Sequence, residues 1–153
     1  MATNNGLAAV EKRMRAVVQA ARAAAKLAMA QGADEIVAMM KSLVAVDKGD
    51  LRDSIGWTWG DAPKYSQRVG AVKSSAGDLV ITIYAGNSKV RYAHLVEFGS
   101  APHINGGMFP GTQNPGTPAR PFFFVSYRTN KKRAKSRITR AVKKAAKDAF
   151  NGN

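Results

Sequence analysis

Two stretches, RYAHLVEFGS at residues 91–100 and TPARPFFF at residues 117–124, decide how the second half of this chain folds. They enclose most of a segment, residues 99–120, that contains five glycines and four prolines. This composition predicts a long irregular loop, and a loop of that length in a small protein is usually functional or ordered only by a partner.

The structure of the first stretch is left open by its pattern. As a strand it places alternate side chains on one face, namely Tyr92, His94, Val96 and Phe98. As a helical turn it groups Tyr92 with Leu95 and Val96. Periodicity over so few residues does not distinguish a strand from a helical turn. The second stretch continues as PFFFVSY at residues 121–127, which predicts a strand.

The N-terminal part, residues 7–45, predicts a long helical region. Apolar residues are spaced three and four apart, at Leu7, Val10, Met14, Val17, Ala21, Ala24 and Ala28, and again at Ile36, Met39, Met40 and Leu43. Gly32 separates the two stripes, which predicts one helix bent there or two helices in tandem. An Ala- and Met-rich stripe suits close packing against a sheet or a neighbouring subunit, and we favour packing in the core.

Between the two regions the chain predicts short elements. Residues 47–56 predict a helical turn around Leu51 and Ile55, capped by Asp50 or Asp47. The elements expected next are an extended segment with Trp57 and Trp59 on one face, strands at 67–72 and 78–84, and a hairpin turn in SSAGD, residues 74–78.

The predicted order is helix, small antiparallel sheet with a long loop, strand and C-terminal helix, so the fold class is α+β. We expect one domain over residues 1–153, with a helical region at 7–45, a sheet with its loop at 57–127 and a basic helix at 128–150.

Composition excludes several classes of protein. The chain has 153 residues and is 45% hydrophobic, which predicts a globular fold rather than disorder. It has no cysteine, which excludes disulfides and cysteine-based metal sites and fits a reducing cytoplasm. No apolar run is long enough to span a bilayer, and the charged N-terminus does not predict a secretion signal.

Positive charge is concentrated at the C-terminus. The net charge is +14, and +9 of it lies between residues 128 and 150, where Asp148 is the single acidic residue. This segment predicts contact with DNA or with an acidic partner, unless it is only a solvated helical face. The candidate contact residues are Arg128, Lys131, Lys132, Arg133, Lys135, Arg137, Arg140, Lys143, Lys144 and Lys147.

Catalysis is disfavoured by the residues present. His94 and Glu97 are three apart, but no nucleophile, metal-binding or phosphate-binding motif accompanies them. Asp50 and Asp53 come nearest to a metal-ligand spacing, and such carboxylates are more often helix caps. We therefore expect no catalytic residue, cofactor or metal. Glu97 is expected to pair with a basic residue such as Arg120, and His94 to be partly buried or at an interface.

Sequence-specific nucleic-acid binding is also disfavoured, because no zinc finger, homeodomain or interleaved aromatic pattern is visible. Non-specific contact with a duplex remains open. The remaining class is a structural or assembly protein, which fits the long loop, the charge excess and the lack of a catalytic set.

Three segments together resemble a large family of tailed-bacteriophage tail components. DKGDLRDSI at 47–55 is similar to the family pattern TG-x-LR-x-SI, and residues 92–100 are similar to YA-x-x-VE-x-GT. PARPF at 118–122 follows after a variable loop, and the similarity extends over residues 7–150. Lys48 and Ser100 stand where the family usually has threonine.

The resemblance implies a virion structural protein that is not an enzyme. Members include tail-completion, neck and head–tail joining proteins, and they are similar to proteins that form rings, often of six copies, at the head–tail junction. The implied partners are further copies of this chain, the connector or head-closure protein, and the tail terminator or tube. The implied location is the neck or head-proximal tail of a virion assembled in the host cytoplasm, without a membrane.

Two alternative functions stay open. One is a tail terminator or other minor tail protein, and the other is a small non-specific DNA-binding protein.

If the chain is a tail component, we expect the stretches at residues 91–100 and 117–124 to form a latch. Pro118 and Pro121 would stiffen Arg120 so that it reaches the Glu97 carboxylate. The middle of the loop would then project towards a neighbour, with a candidate interface at His103, Met108 and Phe109.

Overall fold

The computed structural model describes residues 5–73 and 79–152, and it has the predicted α+β arrangement. Its elements in chain order are α1 (Asn5–Leu43), α2 (Asp50–Asp53), β1 (Gly56–Trp59), β2 (Gln67–Lys73), β3 (Val80–Ala85), α3 (Ala93–Phe98), β4 (His103–Ile104), β5 (Gln113–Asn114) and α4 (Phe123–Asn151). The turn predicted at 74–78 lies outside the described residues. None of the helices in the described ranges is long and apolar enough to cross a membrane.

Contacts divide the chain into two compact units. The first unit comprises Met1–Ala33 and Asn130–Asn153, and the second comprises Asp34–Thr129. Both α1 and α4 contribute residues to each unit.

In the first unit, α1 is continuous through Gly32, so of the two predicted alternatives the tandem pair of helices is wrong. A Cβ atom built on Gly32 would lie 3.0 Å from the Cβ of Ala134 in α4. The glycine therefore permits close helix packing instead of interrupting the helix.

Burial along the apolar stripe of α1 is uneven. Ala28, Met29 and Ala33 are buried, and partial burial begins at Val17. Residues 6–16 are exposed without exception. The core packing predicted for the first stripe is therefore wrong for its N-terminal members.

The second unit is built on a three-stranded antiparallel sheet of order β1-β3-β2. Trp57 and Trp59 share one face of β1, as predicted, and their rings meet edge to face at 5.7 Å. The Trp57 indole N–H donates to the Asp34 carboxylate at 2.7 Å, which joins β1 to α1. The buried apolar side chains of this unit are Ile36, Met40, Val44, Leu51, Ile55, Ile81, Ile83, Ala85, Val90, Ala93, Phe122 and Phe123.

The helical turn predicted at 47–56 forms as α2, but its cap differs from the prediction. Gly49 precedes the helix with φ 93°, and no side chain caps it. Ser54 follows it and is buried. Its hydroxyl donates to the Leu51 carbonyl at 2.7 Å and accepts the Gly86 N–H at 3.0 Å. The LRDSI segment therefore fixes α2 against the end of β3.

Two predictions for the second half of the chain are corrected. Residues 121–127 were predicted as a strand, but α4 begins at Phe123. The loop at 99–120 is not structureless, because β4 pairs with β5 and Ser100 forms a bridge with Thr117. The undecided stretch at 91–99 contains the helix α3.

Candidate functional site

The carboxylate of Glu97 is held inside the second unit by α3. The side chain is 3% exposed although it is ionisable. A buried carboxylate is stable only with hydrogen-bond donors around it, so its partners define what it does.

Three consecutive backbone N–H groups donate to this carboxylate. Phe122 and Phe123 donate to Oε2 at 2.8 and 2.9 Å, and Phe124 donates to Oε1 at 3.1 Å. The first N–H groups of a helix have no partner within the helix, and a negative charge there also suits the helix dipole. Glu97 therefore caps the N-terminus of α4 from another part of the chain.

The local sequence explains why the donors begin at Phe122. Pro121 has no N–H, so Phe122 supplies the first available donor. Phe122 and Phe123 are fully buried, and the Ser126 hydroxyl donates to the Phe122 carbonyl at 2.6 Å. Burial of the rings and the distant cap together select a helix over the strand that the aromatic pattern predicts.

The predicted contact between Glu97 and the Arg120 side chain is replaced by these bonds. In the part of the chain that the structure describes, no ion pair joins the two residues. Arg120 contributes through its backbone, whose N–H donates to the Val96 carbonyl at 2.8 Å, and its side chain is exposed. Pro118 and Pro121, the other predicted latch residues, are also exposed.

The two opening stretches nevertheless meet at the base of the loop. Gly99 adopts φ +73°, and a Cβ there would lie 2.5 Å from the Thr117 carbonyl oxygen. Ser100 and Thr117 exchange backbone bonds at 3.0 and 3.1 Å. The backbone, with the Glu97 carboxylate, therefore fixes the two ends of the loop together.

The geometry offers no acid–base pair at α3. His94 is exposed, whereas the Glu97 carboxylate is buried and satisfied by backbone donors. Asp50 and Asp53 line an open cleft of about 370 Å³ with Lys89. Among the described residues, no three His, Asp or Glu side chains are grouped as metal ligands.

Most basic residues of α4 are exposed to solvent. Ile138 and Val142 of the same helix are half-buried. Arg137 is half-buried too, and the remaining candidates are exposed, namely Arg128, Lys131, Lys132, Arg133, Lys135, Arg140, Lys143, Lys144 and Lys147. We call these nine exposed residues the basic face.

The predicted interface loop projects apolar side chains. Met108 is 88% and Phe109 67% exposed, while His103 is turned to its own backbone, with Nδ1 3.0 Å from the Ala101 carbonyl oxygen. Sequence reasoning missed Ile104, which is 74% exposed in β4. It also missed the backbone partners of Glu97, for which the missing N–H of Pro121 was the one available signal.

Comparison with known proteins gave one match. The family model described as "Bacteriophage HK97-gp10, putative tail-component" matches residues 8–99, which is more than half of the chain. The matched range includes LRDSI and α3 but not PARPF or α4. Neither the curated proteins nor the solved structures gave a match.

Proposed function

Because the chain belongs to the HK97-gp10-like family of bacteriophage tail components, we propose that it completes the neck of a tailed phage. Six copies would form a ring that joins the head connector to the tail tube around the DNA path. The role is structural rather than catalytic. Family membership is the observation that carries this proposal.

The exposed surfaces support assembly into a larger particle. Large apolar side chains on α1 and in the loop at 99–120 are more than half exposed. Adjacent exposed apolar side chains commonly mark interaction sites. A ring subunit needs at least two such surfaces, because each copy contacts two neighbours.

The basic face of α4 supports a position beside DNA. Lysine and arginine contacts to phosphates are independent of sequence and release counterions. We propose that the basic face lines the channel of the ring. An acidic surface on the connector or tube is the alternative partner for the same charge.

Electron microscopy of lysates from a phage that lacks this gene tests the joint role. DNA-filled heads beside separate tails of normal length are the expected result, and a plasmid copy of the gene should restore whole particles. Tails of irregular length would favour a tail terminator instead. Intact infectious particles would contradict any assembly role and leave non-specific DNA binding as the candidate.

A charge-matched pair of variants tests the DNA contact. The first replaces Lys143, Lys144 and Lys147 with alanine, and the control replaces the exposed Lys48, Lys64 and Lys89, so that both lose the same charge. Duplex affinity is measured by fluorescence anisotropy at several salt concentrations. The first variant should make the negative slope of log affinity against log salt less steep, by about 1 per lost phosphate contact. Equal slopes for the two variants would refute a specific role of the basic face.

A further inference from the structure

The loop segment at residues 100–117 is an ordered hairpin without formal charge. We call it the tip hairpin. It contains no Asp, Glu, Lys or Arg, although the chain has 24 basic and 10 acidic residues. The bridge between Ser100 and Thr117 closes its base, and β4 pairs with β5 above that bridge.

The end of the tip hairpin is apolar and is held by hydrogen bonds within the hairpin. Ile104, Met108 and Phe109 are 74%, 88% and 67% exposed. Asn105 N–H donates to the Thr112 carbonyl at 2.8 Å, and the Asn105 side-chain amide donates to the Thr112 hydroxyl at 2.9 Å. A partner would therefore gain apolar contact with little loss of conformational entropy in the hairpin.

A second uncovered apolar surface lies on the N-terminal half of α1. Leu7, Val10, Met14 and Val18 are spaced three and four residues apart, so they lie along one side of the helix. Each is 57–64% exposed. We call these four residues the α1 stripe.

Charge decides which surface fits the α1 stripe. Arg13 and Arg15 flank it on its two sides, and the acid next to it, Glu11, is paired with Arg15 at 2.9 Å. Two stripes placed face to face would bring like charges together, which weakens association. The uncharged tip hairpin avoids that repulsion, and because it lacks cations it is unsuited to DNA.

We propose that the tip hairpin of one copy binds the α1 stripe of the next copy. The contact joins different surfaces of the two copies, and such head-to-tail contacts close into rings when the rotation between copies allows it. The inference rests on the ring in the proposed function and names the residues that would join its subunits.

Engineered cysteines test this contact in the full chain, which has no native cysteine. Met108→Cys protein is mixed with Met14→Cys protein, oxidised, and analysed by non-reducing electrophoresis and mass spectrometry. Ser88→Cys, at an exposed position outside both surfaces, replaces Met108→Cys in the control. We expect the 108–14 disulfide to form several times more efficiently than the 88–14 disulfide.

Four results would overturn the proposal. The first is equal crosslinking in the control, and the second is no crosslink at the highest soluble concentration. The third is preferred pairing of position 108 with itself. The fourth is stronger pairing of position 108 with Leu95→Cys, which tests one of the two exposed large apolar residues of α3, Leu95 and Phe98, as the receptor instead.

Complementation supplies an independent test. Phe109→Asp removes the apolar tip, and Val10→Asp removes the middle of the stripe, so each variant alone should self-associate at least about tenfold more weakly in sedimentation experiments. Their mixture should form pairs, because each pair retains one intact hairpin facing one intact stripe. A mixture no more associated than its components would refute the contact.

Both tests use purified protein and are independent of the phage. If the deletion lysate contains separated heads and tails but no 108–14 disulfide forms, the proposed contact is refuted and the role at the head–tail joint is retained. The disulfide together with intact deletion particles would support the contact and remove the joint role.

Discussion

Replacement of Glu97 by alanine should destabilise the second unit strongly. The substitution deprives three N–H groups of their acceptor, and two of them belong to fully buried residues, Phe122 and Phe123. A hydrogen bond to a charged group contributes about 1.5–3 kcal/mol, and the three are not additive because the end of the helix can shift. We expect the free energy of unfolding to fall by about 3–5 kcal/mol, a large part of the roughly 5–15 kcal/mol of a typical domain.

Two further variants calibrate this loss. Glu97→Gln keeps a neutral acceptor but presents an amide N–H₂ to one of the donors, so it should lose about 1–3 kcal/mol. Glu11→Ala removes an exposed carboxylate whose bond to Arg15 spans one helical turn, and it should lose only about 0.3–0.5 kcal/mol.

Urea unfolding measures these differences with two probes. Trp57 and Trp59 are the only tryptophans and report on the second unit by fluorescence, while circular dichroism follows all helices. Both probes are needed because two units need not unfold in one transition. A Glu97→Ala protein no less stable than the Glu11→Ala protein by tryptophan fluorescence would refute the role of Glu97 as the cap of α4.

Three other substitutions follow from the same geometry, each measured by urea unfolding. Arg120→Ala should change stability by less than about 0.5 kcal/mol, since the side chain is exposed and the backbone bond to Val96 survives; a loss as large as that of Glu97→Ala would argue for an ion pair after all. Gly99→Ala should cost about 1–3 kcal/mol, because φ is +73° and the new Cβ would meet the Thr117 carbonyl, so a neutral effect would contradict the closed loop base. Gly32→Val should cost about 1–3 kcal/mol through overlap with Ala134, whereas a gain in stability would show that helix propensity outweighs packing.

The sequence predicts the long and strongly patterned elements of this fold. Period-two alternation at 79–84 predicts β3, and the charged and apolar sides of the C-terminal segment predict most of α4. It fails where a distant residue decides the outcome. Residues 121–127 resemble a strand locally, but the Glu97 carboxylate and burial of the phenylalanine rings make them helical.

The candidate site was predictable only in part, because it also depends on contacts between distant residues. The two stretches that meet at the base of the loop were recognisable as a pair. Their bond is between a carboxylate and backbone N–H groups, which have no signature in side-chain chemistry. The exposure of the start of α1 was equally unpredictable from the sequence, because apolar residues have the same helical spacing whether the helix face is buried or exposed.

A cryo-electron microscopy reconstruction of the head–tail junction, from the phage that encodes this chain, would test the assembly role most directly. We predict a closed ring of copies between connector and tail tube, with the basic face of α4 towards the DNA. Density for the chain elsewhere in the particle, or mature particles that lack it, would contradict the proposed role at the joint.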